Sequence, residues 1–163
     1  MFSIFKQHGP GRALIVSRDR VLRQDLAVVL STYGFIHDTA ETQREAMEKF
    51  LAIKHAVVIS DADFLPRFPR HLEWLYNTAH RKPLTLITVT ADKIEQAYPY
   101  LEKAAYGLLH LPLDPEDFAV TFERALEYNT FRANNLFLRD AFFLFGLALP
   151  LIAVLVFFMT RGG

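Results

Sequence analysis

Cysteine is absent from this chain of 163 residues. That excludes disulfides, thiolate metal sites and cysteine nucleophiles. An excess of either charge is also lacking: 18 Lys and Arg balance 18 Asp and Glu. No electrostatic footprint for nucleic acid follows from such a balance, and no nucleic-acid partner is expected. Six histidines stand apart at 8, 37, 55, 71, 80 and 110. None forms an HExxH or similar ligand pair, so no zinc site is expected. There is no glycine-rich phosphate loop and no nucleophile–base–acid set, and no catalytic residue is assigned. The opening MFSIFKQHGPG has an apolar part too short for a signal-peptide core. It reads as a lead-in, residues 1–11, to a domain that begins in the cytoplasm.

What the chain does have is a regular alternation. Ala13-Leu14-Ile15-Val16 is a short apolar run suited to a buried strand, and Asp19 stands where a helix is capped. From Val21 the residues Leu22, Leu26, Val29, Leu30 and Tyr33 share one helix face, and Gly34 ends it as a C′ glycine does. Residues 35–39 read as a brief strand and 42–53 as a helix through Ala46, Phe50 and Ile53. Ala56-Val57-Val58-Ile59-Ser60 then runs into Asp61 and Asp63, a strand ending in acid. Phe64 to Pro69 reads as a loop with two prolines, and 72–79 as a helix. Leu84 to Thr90 is a strand of strong β propensity, and 94–105 a helix that Pro99 delays or kinks. Residues 107–111 form the last strand. Asp114-Pro115-Glu116 opens a helix whose apolar face is Phe118, Phe122, Ala125 and Leu126. Five strand–helix alternations predict right-handed βαβ units: an α/β fold with a five-stranded parallel sheet, doubly wound by helices.

The last quarter differs. Ala141 to Met159 is AFFLFGLALPLIAVLVFFM, 19 residues without a charge. At helical rise it spans roughly the 30 Å of a bilayer's hydrocarbon core, and a core helix of that length is rarely apolar all round. A single transmembrane helix is therefore expected over 141–160, after a domain at 12–130 and a connector at 131–140. Arg132 and Arg139 precede the span and Arg161 follows it, a bias that agrees with a cytoplasmic N-terminal domain. The arrangement is that of a tail anchor. Gly146, Ala148, Pro150 and Ala153 would let another helix pack close.

The run Gly34-Phe35-Ile36-His37-Asp38-Thr39-Ala40-Glu41, with Glu45-Ala46 and Val57-Val58-Ile59-Ser60-Asp61, carries a family likeness. Over about residues 12–130 the chain resembles a two-component response-regulator receiver domain, which implies a flavodoxin-like fold. The resemblance places Asp61 on the phospho-accepting aspartate, and Thr90-Ala91 on the hydroxyl and small residue that contact the phosphoryl group. Leu111-Pro112 falls on the family's Lys-Pro, with a cis peptide implied. Two departures stand out. Ser17 and Arg18 occupy the positions of the acidic pair that holds Mg²⁺ through hard oxygen ligands, and Leu111 replaces the lysine that pairs with phosphoryl oxygens. No cofactor and no metal ligand is expected on that ground.

The pocket so assembled is Ser17, Arg18, Asp19, Asp63, Thr90, Ala91, Leu111 and Pro112 around Asp61. Asp61 and Asp63 could also simply cap the next helix. Arg18 is expected at the sheet edge, paired with Asp61 or Asp63 where the cation would sit. Among the aromatic residues Trp74, Tyr76, Tyr98, Tyr100 and Tyr106, the resemblance implies a docking face near the fourth helix, but a core or snorkelling role accounts better for most of them. Together these features predict a non-catalytic, membrane-anchored pseudo-receiver, a regulatory or scaffold subunit among integral membrane proteins or within a larger membrane complex, or a homodimer. The resemblance implies a bacterial inner membrane. The alternative is a phosphorylatable switch using Asp61, with Asp63 and Asp19 among rearranged ligands.

Overall fold

The computed structural model describes residues 11–64, 83–101 and 105–130. Its first compact unit is Met1–Leu126. The strands are β1 (Arg12–Val16), β2 (Ile36–Ala40), β3 (Val57–Asp61), β4 (Leu84–Val89) and β5 (Gly107–His110). The described helices are α1 (Arg20–Thr32), α2 (Gln43–Ala52) and α3 (Ile94–Leu101). A further helix, α4, begins at residue 115 and is helical through Leu126, where the unit ends. In the second unit, Glu127–Gly163, residues 127–130 are described and are helical.

The five strands pair in parallel in the order β2-β1-β3-β4-β5. The expected doubly wound sheet is thus present, with β3 in the middle. That position explains its composition: Val57, Val58, Ile59 and Ser60 are all buried, because both sheet faces are covered. One face carries Ala13, Ile15, Val57, Ile59, Leu84, Leu86 and Leu109 against α1 and α4. The other carries Leu14, Val16 and Val58 against α2, and Ile87 and Val89 against α3.

Local signals act as the chemistry requires. Asp19 Oδ1 accepts from the amides of Val21 (2.8 Å) and Leu22 (3.3 Å), capping α1. Gly34 takes φ +79° just past α1, which a side chain would resist. Thr42 caps α2 by accepting from Glu45 N, while Glu45 reaches back to Glu41 N. Asp114 Oδ1 accepts from Glu116 N at the start of α4. The Leu111–Pro112 peptide is cis.

Some boundaries differ from the sequence reading. Thr90 and Leu111 fall just outside their strands, and α3 does not reach Ala105, which is non-helical and donates its N–H to Tyr100 O. Phe64 is not in an open loop. A 3₁₀ turn, Ala62–Phe64, tucks its ring in at 6% exposure. Pro99 neither delays nor breaks α3, which contains it. Among the described residues no helix is long and apolar enough to cross a membrane. The span expected at 141–160, the connector 131–140, the helix at 72–79, Trp74 and Tyr76 all lie outside the described residues.

Candidate functional site at the carboxyl edge of the sheet

In a parallel α/β sheet, the strands' carboxyl ends converge on one edge, where backbone groups and turns leave room for a site. Here β1, β3 and β4 bring Ser17, Asp61 and Thr88 into one row. Asp61 and Thr88 are register partners, and Ser17 Oγ donates to Asp61 Oδ2 at 3.0 Å. The second oxygen of Asp61 accepts from Asp63 N at 3.2 Å. Both carboxylate oxygens are therefore engaged by the chain itself. The second bond opens the 3₁₀ turn, so Asp61 does act partly as a cap.

Ser17 is an anchor for this edge. It is 1% exposed. Its hydroxyl also accepts from Asp19 N (3.1 Å), and its carbonyl accepts from Arg23 Nη1 (2.6 Å). Arg23 is itself buried and pairs with Glu41. A charge-assisted bond of this kind is stronger than a neutral one, and it fixes the β1–α1 junction from behind. The sequence reading did not single out Arg23. Its only signal there was a cation standing beside Leu22 on the first turn of a helix.

Arg18 corrects an expectation. It makes no ion pair with Asp61 or Asp63. Its guanidinium lies over the Phe64 ring, 5.6 Å from the centroid, a cation–π contact. The 3₁₀ turn packs that ring into the core on the α2 side of the sheet, and the face of the ring takes the guanidinium. Asp63 is instead held by Lys93 Nζ, which reaches it from the 3₁₀ turn Ala91–Lys93. Hydrogen bonding to Asp63 raises the Lys93 ammonium above the usual lysine range. Burial opposes this, and the charges of Asp63, Asp61 and Asp92 reinforce it. Lys93 is thus a site residue that the sequence reading missed.

The remaining predicted residues are close by in chain and register. Thr90 is half-buried. Its hydroxyl lowers the Asp92 carboxyl below the usual range without reaching good hydrogen-bond geometry. Ala91 is exposed at the start of its turn. Leu111 leans on the core shared by α1 and α4, and Pro112 is exposed. A leucine there offers no charge to an anion.

The Mg²⁺ that the resemblance implies can be tested against these donors. A hard cation requires several free oxygen ligands. Ser17 and Arg18 supply no carboxylate, Asp19 is spent on capping, both Asp61 oxygens are bonded, and Asp63 is paired with Lys93. The donor set does not fit the ion.

A second polar cluster lies away from this edge. Asp38 on β2 accepts two bonds from the Arg12 guanidinium, each 3.3 Å, and one from His55 Nε2 at 2.9 Å. The His55 side chain is fully buried and stacks on Phe50, with ring centroids 6.1 Å apart. Burial pushes the Asp38 carboxyl up. The bonds from His55 and Arg12 outweigh it and hold the carboxyl below the usual range.

The chain matches no protein-family model, and a search of curated proteins gives no match. Solved structures do resemble it. The chemotaxis response regulator CheY4 of Vibrio cholerae aligns at 23% identity and TM-score 0.61, over 71% of this chain and 98% of that one. A response-regulator receiver domain protein from Clostridium thermocellum aligns at 17% and 0.61, over 74% and 98%. The signal receiver domain of an HD domain-containing protein from Pseudomonas fluorescens aligns at 19% and 0.65, over 81% and 98%. The fold is therefore that of receiver domains.

Proposed function

We propose that this chain is a non-catalytic pseudo-receiver, held to a membrane by residues 141–160, that acts as a regulatory or scaffold subunit among integral membrane proteins. One observation carries this reading. The carboxyl edge is closed on itself, with Ser17 and Asp63 N on the Asp61 oxygens and Lys93 on Asp63. Phosphoryl transfer to an aspartate depends on a cation that neutralises charge as it moves. Neither the carboxylates for that ion nor a cation at Leu111 is supplied. The reading therefore includes no cofactor and no enzymatic activity. The uncharged run from Ala141 to Met159 supports the membrane assignment. A bacterial inner membrane, with the receiver-like domain on the cytoplasmic side, agrees with the fold and with Arg132 and Arg139. Neutral net charge supports protein partners over nucleic acid.

The alternative is a phosphorylatable switch. It is favoured by the partial exposure of Asp61 and by the retention of Thr90 and Ala91. Extraction of the full chain from its native membrane in mild neutral detergent separates the two readings. A scaffold subunit leaves in fixed stoichiometry with integral membrane proteins. A chain that leaves alone, or as a bare homodimer, contradicts the subunit role.

A further inference from the structure

Three facts at the carboxyl edge belong together. Asp61 and Asp63 end the central strand, and Lys93 reaches Asp63 across 30 residues of sequence. Beside Asp61, in register on β4, stands Thr88, which is 1% exposed with a hydroxyl that has no hydrogen-bond partner. Register partners in a parallel pair project from the same sheet face, and Leu84 and Leu86 of matching parity share that face with Val57 and Ile59. A buried hydroxyl without a partner is costly, and this one belongs to the register partner of the aspartate that ends the central strand.

We propose that Lys93 is the resident cation of this edge: its ammonium supplies the positive charge that Asp61 and Asp63 would otherwise take from a divalent metal ion, and it keeps such an ion out. The inference rests on the closed-pocket reading above and deepens it. A tethered ammonium competes at the high effective concentration that an intramolecular group enjoys. It also repels a doubly charged ion from the same carboxylates. Lys93 is one-third exposed and Asp63 41% exposed, and a pair so solvated contributes little to stability. The Lys93→Met chain therefore folds, and its lost cation reopens the edge.

The test is a Mn²⁺ titration of the full chain in neutral detergent at low ionic strength, with free Mn²⁺ read by its electron paramagnetic resonance signal. Removing one positive charge about 5 Å from a divalent ion strengthens its binding by about tenfold in a water-like dielectric. Lys93→Met is expected to bind Mn²⁺ about tenfold more tightly than the wild-type chain, and Lys93→Arg to stay at the wild-type level. Adding Asp63→Asn to Lys93→Met is expected to abolish the gain, which assigns it to this edge. Equal Mn²⁺ binding by Lys93→Met and wild type overturns the inference and leaves the closed-pocket reading standing. Tight, Asp61-dependent Mn²⁺ binding by the wild-type chain overturns both.

Discussion

Phe122→Ala is expected to lower the unfolding free energy by about 3–5 kcal/mol. Phe122 is 0% exposed and is the point where α4 meets the rest of the unit. Its ring stands edge-on to Tyr33 (centroids 5.0 Å) and to Phe35 (5.8 Å), and stacks on Phe118 (5.1 Å). Tyr33 closes α1 and Phe35 leads into β2, so one ring ties three parts of the chain together. Truncation removes the transfer free energy of the ring and leaves a cavity that rigid neighbours cannot fill. It also removes aromatic pairings, each adding about 0.5–1.5 kcal/mol beyond area burial. Phe122→Leu keeps most of the volume and costs less. Equilibrium urea unfolding, followed by circular dichroism, reads the difference as a shift of midpoint at constant slope. A loss below about 1 kcal/mol would show that α4 is not docked through this ring.

Asp38→Ala is expected to cost about 2–3 kcal/mol, although Asp38 is a small, partly exposed residue. The cost lies with its partners. His55 is fully buried, and its Nδ1 already lacks a hydrogen-bond partner. Without Asp38 the imidazole loses its Nε2 bond as well, and the Arg12 fork loses its acceptor. Removing the partner of a buried polar group costs more than the pair contributes as a whole, because His55 remains desolvated. The pH dependence carries a sign. The folded-state pKa of Asp38 is depressed, so the unfolded chain binds the proton more readily. The contribution is complete above the unfolded carboxyl value, about 4, and is lost as pH falls through the lower folded value. Asp38→Asn is therefore expected to flatten that acid limb, while stability near neutral pH falls. An acid limb identical to that of the wild type would remove Asp38 as its source.

Much of the scaffold was legible because each signal was local. The apolar run of β3, the Asp19 cap and Gly34 at +79° act within a few residues of themselves. The pocket positions of Ser17, Asp61 and Thr90 were read from the resemblance, and the structure sets Ser17 on Asp61 with Thr90 just past β4. The groups that close the pocket were not, because their partners are distant in sequence. Lys93 finds Asp63 only after a 3₁₀ turn follows β4, and no spacing announces that turn. Arg18 was expected on a carboxylate. A second 3₁₀ turn instead presents the Phe64 face, and Lys93 already holds Asp63. Thr88 reads in sequence as one more β-branched strand residue, and only register sets it opposite Asp61. Arg23 and the Asp38–His55 pair were hidden in the same way, by separations of 6 and 17 residues between bonded groups.

The most direct test of a self-closed carboxyl edge is a titration of the full chain, in neutral detergent, with Mg²⁺ and beryllofluoride, a mimic of the phosphoryl group. The reporter is the amide nuclear magnetic resonance spectrum around Asp61, Thr90 and Ala91. The expected result is an unchanged spectrum, because Ser17, Asp63 N and Lys93 already occupy the groups that the ion and the mimic need. Saturating, Mg²⁺-dependent shifts at those three residues, lost in Asp61→Asn, would contradict it and make this chain a phosphorylatable switch.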